Sequence, residues 1–229
     1  MVTVHPPSPT LTIAALVACM LAACGTFGTG AGPAETEDGL TRVDVKGVDA
    51  AYLRPGSTLA SYSRIQVDPA EVAFSKEWKP EEPGSHRPLS DEDRNRISGD
   101  LSELFGRTFA EVLEKGGYPV VTEPGTNVLR VTPKLTDVYI NAPDVQTAGR
   151  SSQYTRSAGH MTLVAELRDS QSGELLGRIY DRRDAPQDVV LRLTTSVSNS
   201  QEARNAMATW ANVLLGRLNA VRVQSPPPP

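Results

Sequence analysis

Apolar residues recur at helical spacing in two parts of the chain. Ile97, Leu101, Leu104, Phe105, Phe109, Val112 and Leu113 make one continuous stripe, and Ala203, Met207, Trp210, Ala211, Leu214 and Leu218 make a second. That spacing marks helices with one buried face. The first opens on Ser90 and Asp93, an S-x-x-D start, and stops at Gly116-Gly117, where a left-handed cap is expected. The second opens on Asn199 and Glu202.

Elsewhere the alternation has the period of strands. Tyr62 to Phe74 alternates and is broken by Asp68-Pro69, Tyr118 to Val121 reads as a short strand, and Val128 to Ile140 as a long one. Pro133 within the long strand argues for a sheet edge or a bulge, because it donates no ladder hydrogen bond. Leu129, Val131 and Leu135 share one parity while Val138 and Ile140 take the other, which predicts a bulge near Thr136 or Asp137. Met161 to Leu167 and Leu175 to Tyr180, joined by Asp169 to Gly173, predict a hairpin. The stretch from Val189 to Leu193 reads either as another strand or as lining of the domain. The expected fold class is α+β, an antiparallel or mixed sheet packed on one side by two amphipathic helices, in strand-helix-strands-helix order.

The ends differ from this middle. Leu11 to Ala23 is an apolar run of signal-peptide length, shorter than the roughly 20 residues that span a bilayer. It closes on Leu21-Ala22-Ala23-Cys24-Gly25, which resembles the lipobox at which a lipoprotein signal peptidase cuts once the Cys24 thiol carries diacylglycerol. On that resemblance, Leu21, Ala22 and Ala23 are the recognition residues, Cys24 is the lipid attachment point, and the membrane is a partner through that lipid. Lipid contributes about 0.8 kcal/mol per buried methylene, and stable anchoring needs more than one chain. Gly25 is not the aspartate associated with inner-membrane retention, so the resemblance implies the outer membrane. Residues 24–39 read as a flexible tether, 40–222 as one folded domain, and 223–229, with four terminal prolines, as an extended tail.

Composition narrows the chemistry. A formal net charge of -4 gives no basic stripe for phosphate counterions to leave, so no nucleic-acid partner is expected. Cys19 and Cys24 both precede the folded part, so neither can staple it. His86 and His160 are too isolated to suggest a metal centre, no cofactor motif occurs, and the carboxylate pairs Asp91/Asp93 and Asp181/Asp184 are explained by a helix start and by Arg182 and Arg183. Two long polar segments stand out. One carries Trp78, expected to cover the core edge, and His86; the other, Asn141 to Gly159, carries Arg150, Tyr154 and Arg156 and is the candidate partner-contact loop.

The runs Tyr52-Leu53-Arg54-Pro55-Gly56, Leu59-Ala60-Ser61-Tyr62, Val67-Asp68-Pro69-Ala70-Glu71-Val72 and Asp169 to Arg183 resemble a family of uncharacterised bacterial envelope lipoproteins, a domain of unknown function, from about Leu40 to about Val221. None of these motifs is catalytic. The expectation is a membrane-anchored, non-enzymatic accessory that binds another envelope protein, with no cofactor. The alternative is a carrier of, or an enzyme acting on, lipid or cell-wall material, with the loop from Ala142 to Gly159 covering a site.

Overall fold

In a computed structural model the described residues are Met1, 33–79, 88–140, 153–155, 159–184, 192–194 and 196–224. Residues 31–229 form one compact unit, which holds every element below. These are β1 (Thr41–Val43), β2 (Ala50–Leu53), β3 (Arg64–Val67), β4 (Glu71–Phe74), α1 (Asp91–Lys115), β5 (Val128–Ile140), β6 (Gln153–Thr155), β7 (Gly159–Asp169), β8 (Leu175–Asp184), β9 (Arg192–Thr194) and α2 (Ser196–Gln224).

Seven strands make a mixed sheet in the order β1-β2-β8-β7-β5-β3, with β4 also on β5. Pairing is antiparallel except that β3 and β4 run parallel to β5. A separate two-stranded ribbon joins β6 to β9. The α+β class and the two helices stand, and the expected order holds roughly, with four of the seven strands preceding α1. β1 and β2 are too short to show a full alternation, and they hold their place by pairing with each other and with β8.

Both apolar stripes pack on one face of the sheet. Phe105, Phe109, Leu113, Met207, Trp210, Leu214 and Leu218 share a core with Leu129, Val131, Leu135, Leu163, Ala165 and Leu167, all buried. The ends of α1 follow from local chemistry. Ser90 Oγ accepts from the Asp93 N–H at 3.1 Å and donates to the Asp93 carboxylate at 2.8 Å. At the other end Gly117 takes φ 85°, while Tyr118 N–H bonds Leu113 O and Gly117 N–H bonds Glu114 O, a Schellman stop. Gly116 has no Cβ to overlap the Leu215 methyls, so α2 can approach the end of α1 closely.

Several expectations along the strands change. Pro133 lies in a central strand, paired on one side with Ala165 of β7. Val131 O accepts from Asp68 N–H, so the odd-numbered backbone groups here face β3 and β4. Opposite Pro133 the chain has left β3 at Val67 and does not enter β4 until Glu71, so the missing N–H faces a gap in the ladder. Tyr118 to Val121 is no strand but a single parallel bridge, Ile65 with Val120. β8 runs on through the charged residues to Asp184, and α2 is already helical at Ser196, so Asn199 lies inside it.

The predicted bulge is present. The register of β5 on β7 slips by one residue between Thr136 and Tyr139, and Asp137 takes φ 50°. The hairpin of β7 and β8 is also as predicted. The residues expected to end the tether are ordered, because Arg42 N–H bonds Ala34 O, Glu35 bridges Thr41, and Leu40 is fully buried against Tyr52 and Leu175. Residues 34–39 thus belong to the fold.

Candidate functional site

A dense polar cluster lies where β5 and β8 end and β7 begins. The bulge lifts Asp137 out of the pleat, and its Oδ2 accepts from Arg182 Nη1 at 2.5 Å and stands 3.4 Å from His160 Nε2. The His160 ring stacks on Tyr139, with centroids 5.3 Å apart. Hydrogen bonds from Arg182 first and Ser75 second hold the Asp137 carboxyl below its ordinary value, and the same contact raises Arg182. A carboxylate stabilised in this way is a poor proton acceptor near neutral pH, and its contacts link β5 to β7 and β8. Gly159 closes the neck between β5 and β7. Its φ is 139°, and a Cβ there would overlap the Tyr139 carbonyl oxygen.

Beneath this cluster lies Asp181, 3% exposed. Its Oδ2 accepts from Trp210 Nε1 at 2.6 Å and from Arg183 Nε at 2.5 Å, and its Oδ1 accepts from the Asp49 N–H at 3.0 Å. Asp49 in turn accepts the Arg182 N–H at 2.9 Å, and Arg183 donates to Gly47 O. One carboxylate therefore ties α2, β8 and the turn before β2. Its three donors supply what a buried charge requires.

On the sheet face away from the helices, Arg130 forms a two-pronged pair with Asp68, which also accepts from Thr132. Glu166 accepts from Arg168 and Arg178, and Arg178 reaches Asp38 at 2.7 Å. Burial pushes Glu166 up, but the two guanidiniums outweigh it and hold its carboxyl below the ordinary value. Burial likewise works against the Arg178 charge, and its two carboxylate partners more than offset that.

The residues singled out from sequence fall into three groups. Leu21, Ala22, Ala23, Cys24, His86, Arg150 and Arg156 lie outside the described residues. Tyr154 falls in β6, at the register position opposite Leu193 of β9, which gives the Val189 to Leu193 stretch a strand at its end. Trp78 covers the core edge as expected, 3% exposed, stacked on Phe74 and donating through Nε1 to Ile140 O at 2.7 Å.

Sequence reasoning missed the Asp137–His160–Arg182 cluster, whose one signal was the parity change on β5. It also missed the Asp181–Trp210 bond, which no local pattern announces. The interface of helices and sheet holds an apolar void of about 10 Å3 beside Phe109, Ala165, Ile179 and Trp210, no larger than one water and far below a small-molecule site. Among the described residues no group of three or more His, Cys, Asp or Glu stands close enough to hold a metal ion, and no helix is long and apolar enough to cross a membrane.

Residues 35–214 match the model of a family described as protein of unknown function, DUF3313. The chain belongs to that family. The resemblance drawn from the Tyr52 to Gly56 and Asp169 to Arg183 motifs thus leads to a DUF3313 protein, over nearly the expected span. Among curated proteins none matches the sequence significantly. A PelC dodecamer from Paraburkholderia phytofirmans is similar at 14% identity and TM-score 0.37, over 72% of this chain and 96% of that one. A DUF330 protein from Xanthomonas campestris is similar at 12% identity and TM-score 0.42, over 75% and 92%. A minor lipoprotein from Acinetobacter baumannii is similar at 10% identity and TM-score 0.30, over 70% and 95%. At these scores none of the three bears on the function of the DUF3313 chain.

Proposed function

We propose that this DUF3313 protein is a lipid-anchored component of the cell envelope that binds another envelope protein and performs no catalysis of its own. The observation that carries the reading is the apolar run from Leu11 closing on Leu21-Ala22-Ala23-Cys24-Gly25. Small residues before a cysteine suit a lipoprotein signal peptidase, and only a thiol forms the thioether that holds diacylglycerol. The folded unit fits such a role, since its most organised polar groups bind one another and fasten the sheet. Gly25 favours the outer membrane over the inner.

Labelled palmitate supplied to growing cells tests the anchor. Wild type is expected to incorporate it and to sediment with outer-membrane fractions, whereas Cys24→Ser incorporates none. Crosslinking in intact cells followed by affinity purification tests the partner. An envelope protein captured with wild type and lost with Cys24→Ser supports the assembly role, and an empty capture from a demonstrably lipidated chain overturns it.

A further inference from the structure

Three consecutive residues of β8, Asp181, Arg182 and Arg183, bind in several directions at once. β2 begins at Ala50, opposite Tyr180, so among the described residues the last four of β8 pair with β7 on one side and with no strand on the other. There the turn from 44 to 49 takes the place of a strand. Its Asp49 carboxylate accepts the Arg182 N–H at 2.9 Å, its Asp49 N–H donates to Asp181 Oδ1 at 3.0 Å, and its Gly47 carbonyl accepts from Arg183. The bond from Arg42 to Asp49 O comes from within the same hairpin and does not tie the turn to β8.

The same residues grip the sheet and a helix. Arg182 Nη1 donates to Asp137 on the β5 bulge at 2.5 Å, and Asp181 Oδ2 accepts from Trp210 of α2 at 2.6 Å. Beneath the turn, Val48 lines the same small void as Trp210.

Asp49 lies on one flank of β8, and Asp137 lies on the other with β7 between. Their backbones stand about 14 Å apart at three strand spacings. Substitutions that far apart act independently unless they share a partner. Here they share Arg182, whose backbone holds one and whose guanidinium holds the other. Release of the turn leaves residues 181–184 fastened by β7 on one flank alone. Fraying of that end carries the Arg182 guanidinium away from Asp137 and the Asp181 carboxylate away from Trp210.

We infer that Asp181, Arg182 and Arg183 form a coupler through which the 44–49 turn, α2 at Trp210 and the β5 bulge loosen and tighten together. Asp44, Lys46, Gly47 and Asp49 are exposed, so a contact made on the turn is felt at the end of β5, where the chain leaves the sheet for β6. The reverse also holds, because such coupling is reciprocal. This depends neither on the lipid anchor nor on the identity of a partner.

Native-state hydrogen exchange on the full chain provides the test. Asp49→Ala is expected to speed exchange of the Tyr139 and His160 amides about tenfold and to leave Glu166, farther along β7, unchanged. Asp137→Ala is expected to speed the Asp49 amide by a similar factor. At Tyr139 the double variant is expected to exchange about tenfold faster than wild type instead of about a hundredfold, because release of the turn already parts Asp137 from Arg182. Glu71→Ala breaks the exposed pair with Lys134 and is the control, with an Asp49 amide as slow as in wild type. The Trp210 indole N–H resonance is expected to shift with Asp49→Ala and to stay in place with Glu71→Ala. Exchange changes confined to the turn, or a double variant in which the two single factors multiply, overturn the inference. If Asp49→Ala speeds Glu166 as well, the fold itself has been lost and the reciprocal reading decides: an Asp49 amide left slow by Asp137→Ala overturns the inference.

Discussion

The two faces of the seven-stranded sheet are held by different physics. On the helix face Leu129, Val131, Leu135, Leu163, Ala165 and Leu167 meet α1 and α2 with almost no exposure, and a buried charge there, Asp181, is ringed by three donors. On the other face the adhesion comes from ion pairs among Asp68, Arg130, Glu166, Arg168, Arg178 and Asp38, all in reach of water. The first face is stabilised by removing apolar surface from water and is sensitive to volume. The second is screened by salt and tolerant of change.

The sharpest test of that contrast is Phe105→Ala. Phe105 is fully buried and stacked on Phe109 at 4.0 Å, so its loss is expected to destabilise by about 3–5 kcal/mol in urea unfolding. Gly159→Ala comes next, at about 3 kcal/mol, because it must abandon φ 139° and displace the Tyr139 carbonyl. Faster hydrogen exchange at the β5–β7 neck is the reading that checks it.

Trp210→Phe keeps a ring in the core but takes a donor from buried Asp181, at a cost of about 2 kcal/mol in thermal or urea melts. A neutral result would mean that water reaches that carboxylate. On the outer face Glu166→Ala is expected to cost under about 1 kcal/mol, and less in high salt. If it costs as much as Phe105→Ala, the contrast between the faces fails.

Acid adds a smaller, graded effect. Asp137, Glu166 and Asp169 titrate below their ordinary values in the folded chain: Asp137 through Arg182, Glu166 through guanidiniums that outweigh its burial, and Asp169 through the Ser172 N–H. The unfolded chain therefore binds protons first as pH falls. Their stabilisation is complete above the ordinary carboxylate values, 3.8 and 4.5, and is lost as pH drops through the lower folded ones. Urea midpoints flat down to about pH 5 and falling below pH 4 are expected. Asp137→Asn is expected to flatten part of that fall.

Legibility in the sequence followed the range of the forces involved. The helix stripes, the Gly116-Gly117 stop, the β7–β8 hairpin and the slip near Asp137 are set by neighbours a few residues apart, so periodicity exposed them. The central place of Pro133 was hidden because it depends on a gap between β3 and β4 that only the sheet order creates. The pairing of Asp181 with Trp210, of Asp137 with Arg182, and of Tyr154 with Leu193 spans tens of residues with no repeat to betray it. Trp78 was legible as a core cover, since a large ring flanked by polar residues has little else to do than shield an edge.

The extra residue at position 137 leads to one more conclusion. Remove Asp137 and Val138 moves into phase with Leu129, Val131 and Leu135, while Tyr139 meets His160 in unbroken register with Thr136 and Thr162. The shortened strand would alternate without fault from end to end and would have no residue at positive φ. Packing alone therefore favours the deletion. What the insertion provides is a change of aim: it turns the last residues of β5 and sets a carboxylate in line with Arg182 at the root of the 141–158 segment. In this strand regularity has been exchanged for direction, at the end where the chain leaves the sheet for β6.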